Sequence, residues 1–300
     1  MPSMAYRQQI RMTPLCIGGL WPHLGPMNAT ITQLSLVDDE DILLDDAALA
    51  LAQLDHPKTA IAPYEDVIDA MADRIADKGI DLVEDRDRAA LLAAVIGGEF
   101  GFAGDSDSYD APDNADLIRV IDRRRGLPVA LSILYVAIAR RLGWSAHALD
   151  VPGHVLVLVG DTVAPVIIDP FRGGVGVRPA ELAALIAAVP GRPATAVRSV
   201  AAMPNRAVLI RLLRNQATRA EGAGDIERAL VLYERITTIA PEYGDAWWDR
   251  ARLELGGGDI SAARGSLTAM LEVTRDADAR ARITETLAAI GRNAAHDGDA

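Results

Sequence analysis

The run Gly126-Leu127-Pro128-Val129-Ala130-Leu131-Ser132-Ile133-Leu134-Tyr135-Val136-Ala137-Ile138-Ala139-Arg140-Arg141-Leu142-Gly143 decides how this chain folds. Proline suits the first position of a helix and glycine the position just past its end. Between them almost nothing polar appears before Arg140-Arg141. A helix that is apolar nearly all round lies buried at the centre of its domain. Downstream, Pro152-Gly153-His154 and Ile168-Asp169-Pro170-Phe171 stand among apolar, β-branched stretches, with His154 and Asp169 fifteen residues apart. A helix followed by a strand bearing His and a strand bearing Asp is the chain order of a thiol-acyltransferase site. Such a site needs a thiolate at the helix N-terminus, an imidazole to take its proton and a carboxylate to orient the imidazole. The only cysteine, Cys16, lies far upstream in a Pro/Gly-rich leader, and the helix start offers Pro128, Val129 and Ala130.

Around this core the spacing predicts helices over 45–54, 63–78 and 86–96, the last ending at Gly97-Gly98. A Gly/Asp/Ser-rich loop over 101–112 leads to a helix over 113–124. Three β-runs follow at 146–151, 154–160 and 164–169, with Gly160-Asp161 as a turn, and a closing helix near 179–188. The expected fold class is therefore α+β: a helical N-terminal part, a buried central helix and a small antiparallel sheet.

From residue 204 the chain is helical and repeats itself. Gly224-Asp225 recurs as Gly258-Asp259, 34 residues on; Ala229 matches Ala263 and Tyr233 matches Leu267 at the same offset. A 34-residue helix-turn-helix period is the tetratricopeptide (TPR) signature. Such units stack on neighbours to bury their faces, so a flanking helix over 204–221 and a capping helix near 276–290 are expected. The linker 190–203 contains Ala196-Val197-Arg198-Ser199-Val200, which alternates like an edge strand and is expected to join the sheet, docking the repeats as one rigid body. The expected organisation is a disordered or spurious extension over 1–26 (Met27 is an alternative start), an α+β domain over 27–203, TPR-like helices over 204–290 and a disordered tail over 291–300.

The bulk numbers exclude several function classes. Half of the 300 residues are hydrophobic and 24% are charged, as in soluble globular proteins. One cysteine excludes an intramolecular disulfide framework and fits a reducing cytoplasm. No apolar run reaches the ~18 residues of a membrane helix, and Leu15–Trp21 is too short and Gly-rich for a signal peptide core. The net charge of −12 is uneven: residues 38–116 hold 22 acidic and five basic side chains. An acidic half repels nucleic acid and leaves a solvated face able to meet a basic partner.

The stretch from Asp113-Asn114-Ala115-Asp116-Leu117 through Arg123-Arg124-Arg125-Gly126-Leu127-Pro128, then Pro152-Gly153-His154 and Ile168-Asp169-Pro170-Phe171-Arg172-Gly173-Gly174, resembles the SirB family. Arg211-Leu212-Leu213-Arg214-Asn215 and the Gly-Asp-x-Glu-x-Ala-Leu run that follows are also similar to it. Those are bacterial transglutaminase-like proteins with a C-terminal TPR segment. The resemblance spans roughly 45–290 and implies a papain/transglutaminase-like fold. It implies no particular activity, because that family generally lacks the cysteine at the helix start; Pro128 falls at or beside its position in active relatives. A proline has no proton to lose to the helix dipole.

Each candidate residue has two readings. His154 is either a satisfied core histidine or the partner of Asp169, a pairing with precedent in that family, and the pair itself is either structural or vestigial. Ser132, one turn into the helix, is either a substitute nucleophile reaching His154 Nε2 or a buried serine bonded to the Pro128 carbonyl. His147, Asp150, His154 and Asp169 lack the spacing of a metal site, and no phosphate loop or dinucleotide fingerprint is present, so no metal or cofactor is expected. Arg123-Arg124-Arg125 suits a helix C-terminus and pairing with the acidic half. Two functions compete. The first is a non-catalytic protein-interaction or regulatory module that takes a protein or peptide partner on its TPR-like surface and cleft. The second is a hydrolase or acyltransferase using His154 and Asp169 with Ser132 or a water.

Overall fold

The computed structural model describes residues 26–160, 165–187 and 201–297. The leader with Cys16, the Asp161 side of the expected turn and the 196–200 run lie outside the described residues. The chain forms two compact units, one built on 38–212 and the other on 30–37 together with 213 onward. Both boundaries differ from the expected 203/204 division. Helix α1 (Pro26–Leu36) gives residues 30–36 to the second unit, and the division falls inside α8 (Asn205–Gly222).

In the first unit, α2 (Leu44–Gln53), α3 (Ala62–Gly79) and α5 (Leu117–Arg123) lie around α6 (Pro128–Arg141). Every residue of α6 from Pro128 to Ala139 is buried, as its all-round apolar sequence requires. Gly143 closes it at φ 74°, a conformation that favours glycine. Arg141 at its end forms ion pairs with Asp45 and Asp69, the latter at 3.1 Å. These pairs tie α6 to α2 and α3.

Two expected helices are broken. Helix α4 covers only Asp85–Leu92 and passes into a π-helical segment, Ala93–Glu99, that includes both glycines read as its stop. Pro112–Ala115 is a 3-10 turn, and α5 starts only at Leu117, where Asp116 caps it by accepting the Arg119 N–H at 3.2 Å. Between them the loop holds an unexpected strand, β1 (Ala103–Gly104), which pairs in parallel with β2 (Arg125–Gly126).

The main sheet has the order β3 (Ala146–Val151), β4 (His154–Val159), β5 (Val166–Asp169), β6 (Val175–Gly176), all antiparallel. Pro152-Gly153 turns β3 into β4, with Val151 opposite His154. Leu149, Val151 and Leu156 pack with Ile186 of α7 (Pro179–Ala187) on one face; helix α6 packs on β3 and β4. The first turn of α8 belongs here because Asp39 accepts the backbone N–H groups of Asn205 and Arg206, both at 2.8 Å. Beside it, Ala202 bridges Leu149 and the Met203 N–H donates to the Ala148 carbonyl at 2.8 Å.

The second unit contains the rest of α8 with α9 (Ile226–Ile239), α10 (Gly244–Gly256), α11 (Ile260–Val273) and α12 (Ala277–Asp297). The 34-residue offset is visible in its chemistry. Asp225 caps α9 by accepting the Arg228 N–H at 3.0 Å, and Asp259 caps α11 by accepting the Ala262 N–H at 2.9 Å. Ala229, Tyr233, Ala263 and Leu267 are all buried at the helix crossings. Helix α12 runs to Asp297, beyond the expected end at 290, and so takes in most of the tail read as disordered.

Candidate functional site

Asp169 closes β5, where the chain enters the 3-10 turn Pro170–Arg172. Proline at the first position of that turn has no N–H, and the Asp169 side chain accepts the next one, from Phe171, on Oδ1 at 3.0 Å. The same oxygen accepts His154 Nε2 at 2.9 Å, and Oδ2 accepts Arg172 Nε at 2.8 Å. The carboxylate is 4% exposed. Burial works to raise its pKa, but the hydrogen bonds and charges of His154 and Arg172 outweigh that and hold it below the ordinary aspartate value. It is thus an ionised acceptor that fixes both the imidazole and the guanidinium.

His154 is half-buried at the start of β4, in line with Leu156 and Leu158, and the partner that satisfies it is Asp169. Its engaged nitrogen is Nε2, the one through which a Ser132 nucleophile was expected to act. Nδ1 has no protein partner among the described residues. Ser132 is completely buried, and its Oγ donates to the Val155 carbonyl at 3.4 Å rather than to that of Pro128. The hydroxyl is therefore committed to β4 backbone. His147 belongs elsewhere, its ring nitrogens lying 3.5 Å from Arg140 Nη2 and 3.4 Å from Ser145 Oγ. Asp150 is exposed on the same strand. Among the described residues no group of three or more His, Cys, Asp or Glu is disposed to hold a metal ion.

His154, Asp169, Phe171 and Arg172 line a groove of about 670 Å3, closed on the other side by Glu181 and Leu185 of α7. The Phe171 ring stands between two neighbours. Its centroid lies 6.0 Å from that of His154, edge to face, and the ring rests on Gly104, where any Cβ would collide with it. Gly104 pairs with Gly126, two residues before Pro128. Phe171 therefore touches both the imidazole and the strand that pairs with the segment entering α6. Tyr109 packs on the same ring at 5.8 Å, and its loop is held by the fully buried Asn114, which donates to the Ser108 carbonyl at 2.6 Å and accepts Arg123 Nη1 at 2.9 Å. Arg123 also meets Asp105 at 2.7 Å, so part of the basic run does pair with the acidic half. Arg124 and Arg125 instead donate to the Phe100 and Gly101 carbonyls.

The π-helical segment supports this turn from behind. Gly97 lies against the Gly173 carbonyl so closely that a Cβ would overlap it, and Gly174 at φ 85° lies against Ala93 and the Tyr135 hydroxyl. Tyr135 Oη is buried with no hydrogen-bond partner among the described residues, and burial, followed by the charge of Asp169, pushes its pKa up. Sequence reasoning missed the role of Arg172 and the glycine contact. The Asp-Pro-Phe-Arg run was the available signal, since a 3-10 turn brings Arg172 back over Asp169.

Comparison with known proteins agrees with this architecture. Residues 62–214 match the transglutaminase-like superfamily, and residues 220–290 match the tetratricopeptide repeat. A UPF0162 protein of Xylella fastidiosa strain 9a5c is 28% identical over 244 residues, covering 80% of this chain and 87% of the relative. A UPF0162 protein of Vibrio cholerae is 28% identical over 148 residues, covering 47% of this chain and 53% of that one. Among solved structures, menin matches with a TM-score of 0.39 at 12% identity, covering 82% of this chain and 69% of that one, a likeness too weak to carry an argument. The chain belongs to the transglutaminase-like superfamily, with a TPR region following its transglutaminase-like domain.

Proposed function

We propose that this protein is a non-catalytic transglutaminase-like/TPR protein, akin to the SirB group, that acts in the bacterial cytoplasm as a protein-interaction or regulatory module. One observation carries the reading. The groove bordering His154 retains the base and its orienting carboxylate, yet among the described residues no thiol or hydroxyl side chain lines it, and α6 begins with Pro128. Without a nucleophile the covalent route of thiol acyl transfer has no first step. What the scaffold offers is a rigid cleft, and the repeats offer a helical surface of the kind that takes peptides or helices. The acidic 38–116 region disfavours nucleic acid, and none of the described helices is long and apolar enough to cross a membrane. Affinity capture with the full chain from native cytoplasm, followed by quantitative mass spectrometry, tests this. A stoichiometric partner is expected; repeated recovery of the free chain alone would contradict it.

A second reading, a hydrolase or acyltransferase of peptidase or amidase type, is favoured by the geometry of the dyad itself. Asp169 holds Nε2 and leaves Nδ1 available as a general base for a water. Ser132 is the weaker route, since its hydroxyl is buried on the Val155 carbonyl. Turnover of peptide, isopeptide or amide substrates that disappears in His154→Ala would favour this reading over the first.

A further inference from the structure

In the groove beside His154 the carboxylates are engaged and the Arg172 guanidinium is not. Asp169 Oδ1 accepts from His154 and Phe171, and Oδ2 from Arg172. Glu181, reaching the groove from α7, has Oε1 engaged by Arg178 Nη2 at 3.1 Å and Oε2 by the Arg178 N–H at 3.0 Å. Every carboxylate oxygen on the groove wall is therefore committed. The guanidinium is not. Asp169 occupies only Nε of Arg172, so Nη1 and Nη2 have no partner among the described residues, and the side chain is 47% exposed. His154 gives its Nε2–H to Asp169 and so adds no free donor to this wall.

A wall whose carboxylates are engaged and whose guanidinium fork is unmet calls for an acceptor ligand. The remaining Nη1/Nη2 edge of a guanidinium is a planar fork, which matches a carboxylate bidentately. Asp169 clamps that guanidinium through Nε, so little side-chain freedom remains to be lost on binding. Arg172 and Arg178 offset Asp169 and Glu181, so no net negative charge opposes an anion. Phe171, Ala184 and Leu185 supply apolar surface in the same groove.

We infer that this groove binds the C-terminal α-carboxylate of a partner polypeptide that ends in an apolar residue, with the Arg172 fork on the carboxylate and Leu185 and Phe171 against the last side chain. An α-carboxylate carries charge and apolar side chain on one carbon, so a single residue satisfies both walls. An Asp or Glu side chain would spend its own carbons on reaching Arg172 and leave the apolar wall to other residues. The inference rests on the interaction reading above and names the chemistry of the partner.

Titration of the full-length, isotope-labelled protein with N-acetyl-leucine and with N-acetyl-leucine amide tests it by NMR. The acid is expected to shift the His154 ring and Arg172 side-chain signals saturably, and the amide to bind at least about tenfold more weakly. Arg172→Met is expected to lose the response. Because Arg172 also holds Asp169, a second variant, Ala184→Asp at an exposed position of the same wall, leaves the fork in place and adds a repelling charge; it too should lose the response with its melting temperature kept. Equal binding of acid and amide, no saturable shift, or binding unchanged in both variants would overturn the inference. So would an amidated peptide with an internal Glu that binds as tightly as a free-acid peptide. A captured partner whose C-terminus is dispensable would remove the inference and leave the interaction reading standing. Acid binding by a chain that captures no partner would do the reverse.

Discussion

Gly97 and Gly173 are in backbone contact: a Cβ at residue 97 would overlap the Gly173 carbonyl oxygen. The contact joins the π-helical segment to the turn that carries Asp169 and Arg172. Gly97→Ala is expected to destabilise the protein by about 1–3 kcal/mol, since backbone must move to admit the methyl group. Gly98→Ala is the control, because a Cβ there meets only the Ala93 carbonyl at 3.9 Å. Urea denaturation of the two variants checks the difference, and equal midpoints would refute the contact.

Asp169 anchors three donors from a buried position. Asp169→Ala leaves all three unpaired and is expected to cost about 1–3 kcal/mol, more than His154→Ala, which removes one donor. The pH dependence follows from the direction of the shift. The folded-state pKa is lowered, so the stabilisation is present above the unfolded value of about 3.9 and is lost as pH falls through the folded one. Asp169→Asn should flatten the acid limb of the stability curve there. Thermal melts across the acid range decide it, and an unchanged limb would mean that the carboxylate is not depressed.

Asp225 and Asp259 hold equivalent caps one repeat apart. Each Asp→Ala change is expected to lower stability by about 0.5–2 kcal/mol. The two losses should be similar, because the caps share geometry and exposure. Far-UV circular dichroism melts would show this, and a large effect at only one site would break the repeat equivalence.

Ser132 makes one long hydrogen bond to backbone. Ser132→Ala should change stability by no more than about 1 kcal/mol. A fluorophosphonate probe should not label Ser132 in the wild type. Labelling lost in the variant would restore the serine as a nucleophile.

The parts that were legible in the sequence are those governed by local chemistry. The buried helix announces itself through Pro128, Gly143 and twelve residues with almost no polar face, and the repeats through the 34-residue return of Gly-Asp and Ala. The pairing of His154 with Asp169 was expected from two strands in order together with the precedent in the SirB family. What was not legible depends on contacts distant in sequence. Gly97-Gly98 reads as a helix stop, yet it widens the helix into a π-helical segment against Gly173. Strand β1 is two residues long and exists only because β2 lies beside it. The start of α8 joins the first unit through Asp39, 166 residues away, which no local pattern encodes. Arg172 and Phe171 gain their roles only when the Asp169 turn folds back over the carboxylate.

The proposal that no nucleophile serves the His154–Asp169 pair is tested most directly by turnover. Wild type and His154→Ala should be incubated with fluorogenic peptide, isopeptide, amide and ester substrates, and their rates compared with buffer. We expect both proteins to match the uncatalysed background on every substrate. A wild-type rate at least about tenfold above background that vanishes in His154→Ala would contradict the non-catalytic reading and place a working base in the groove.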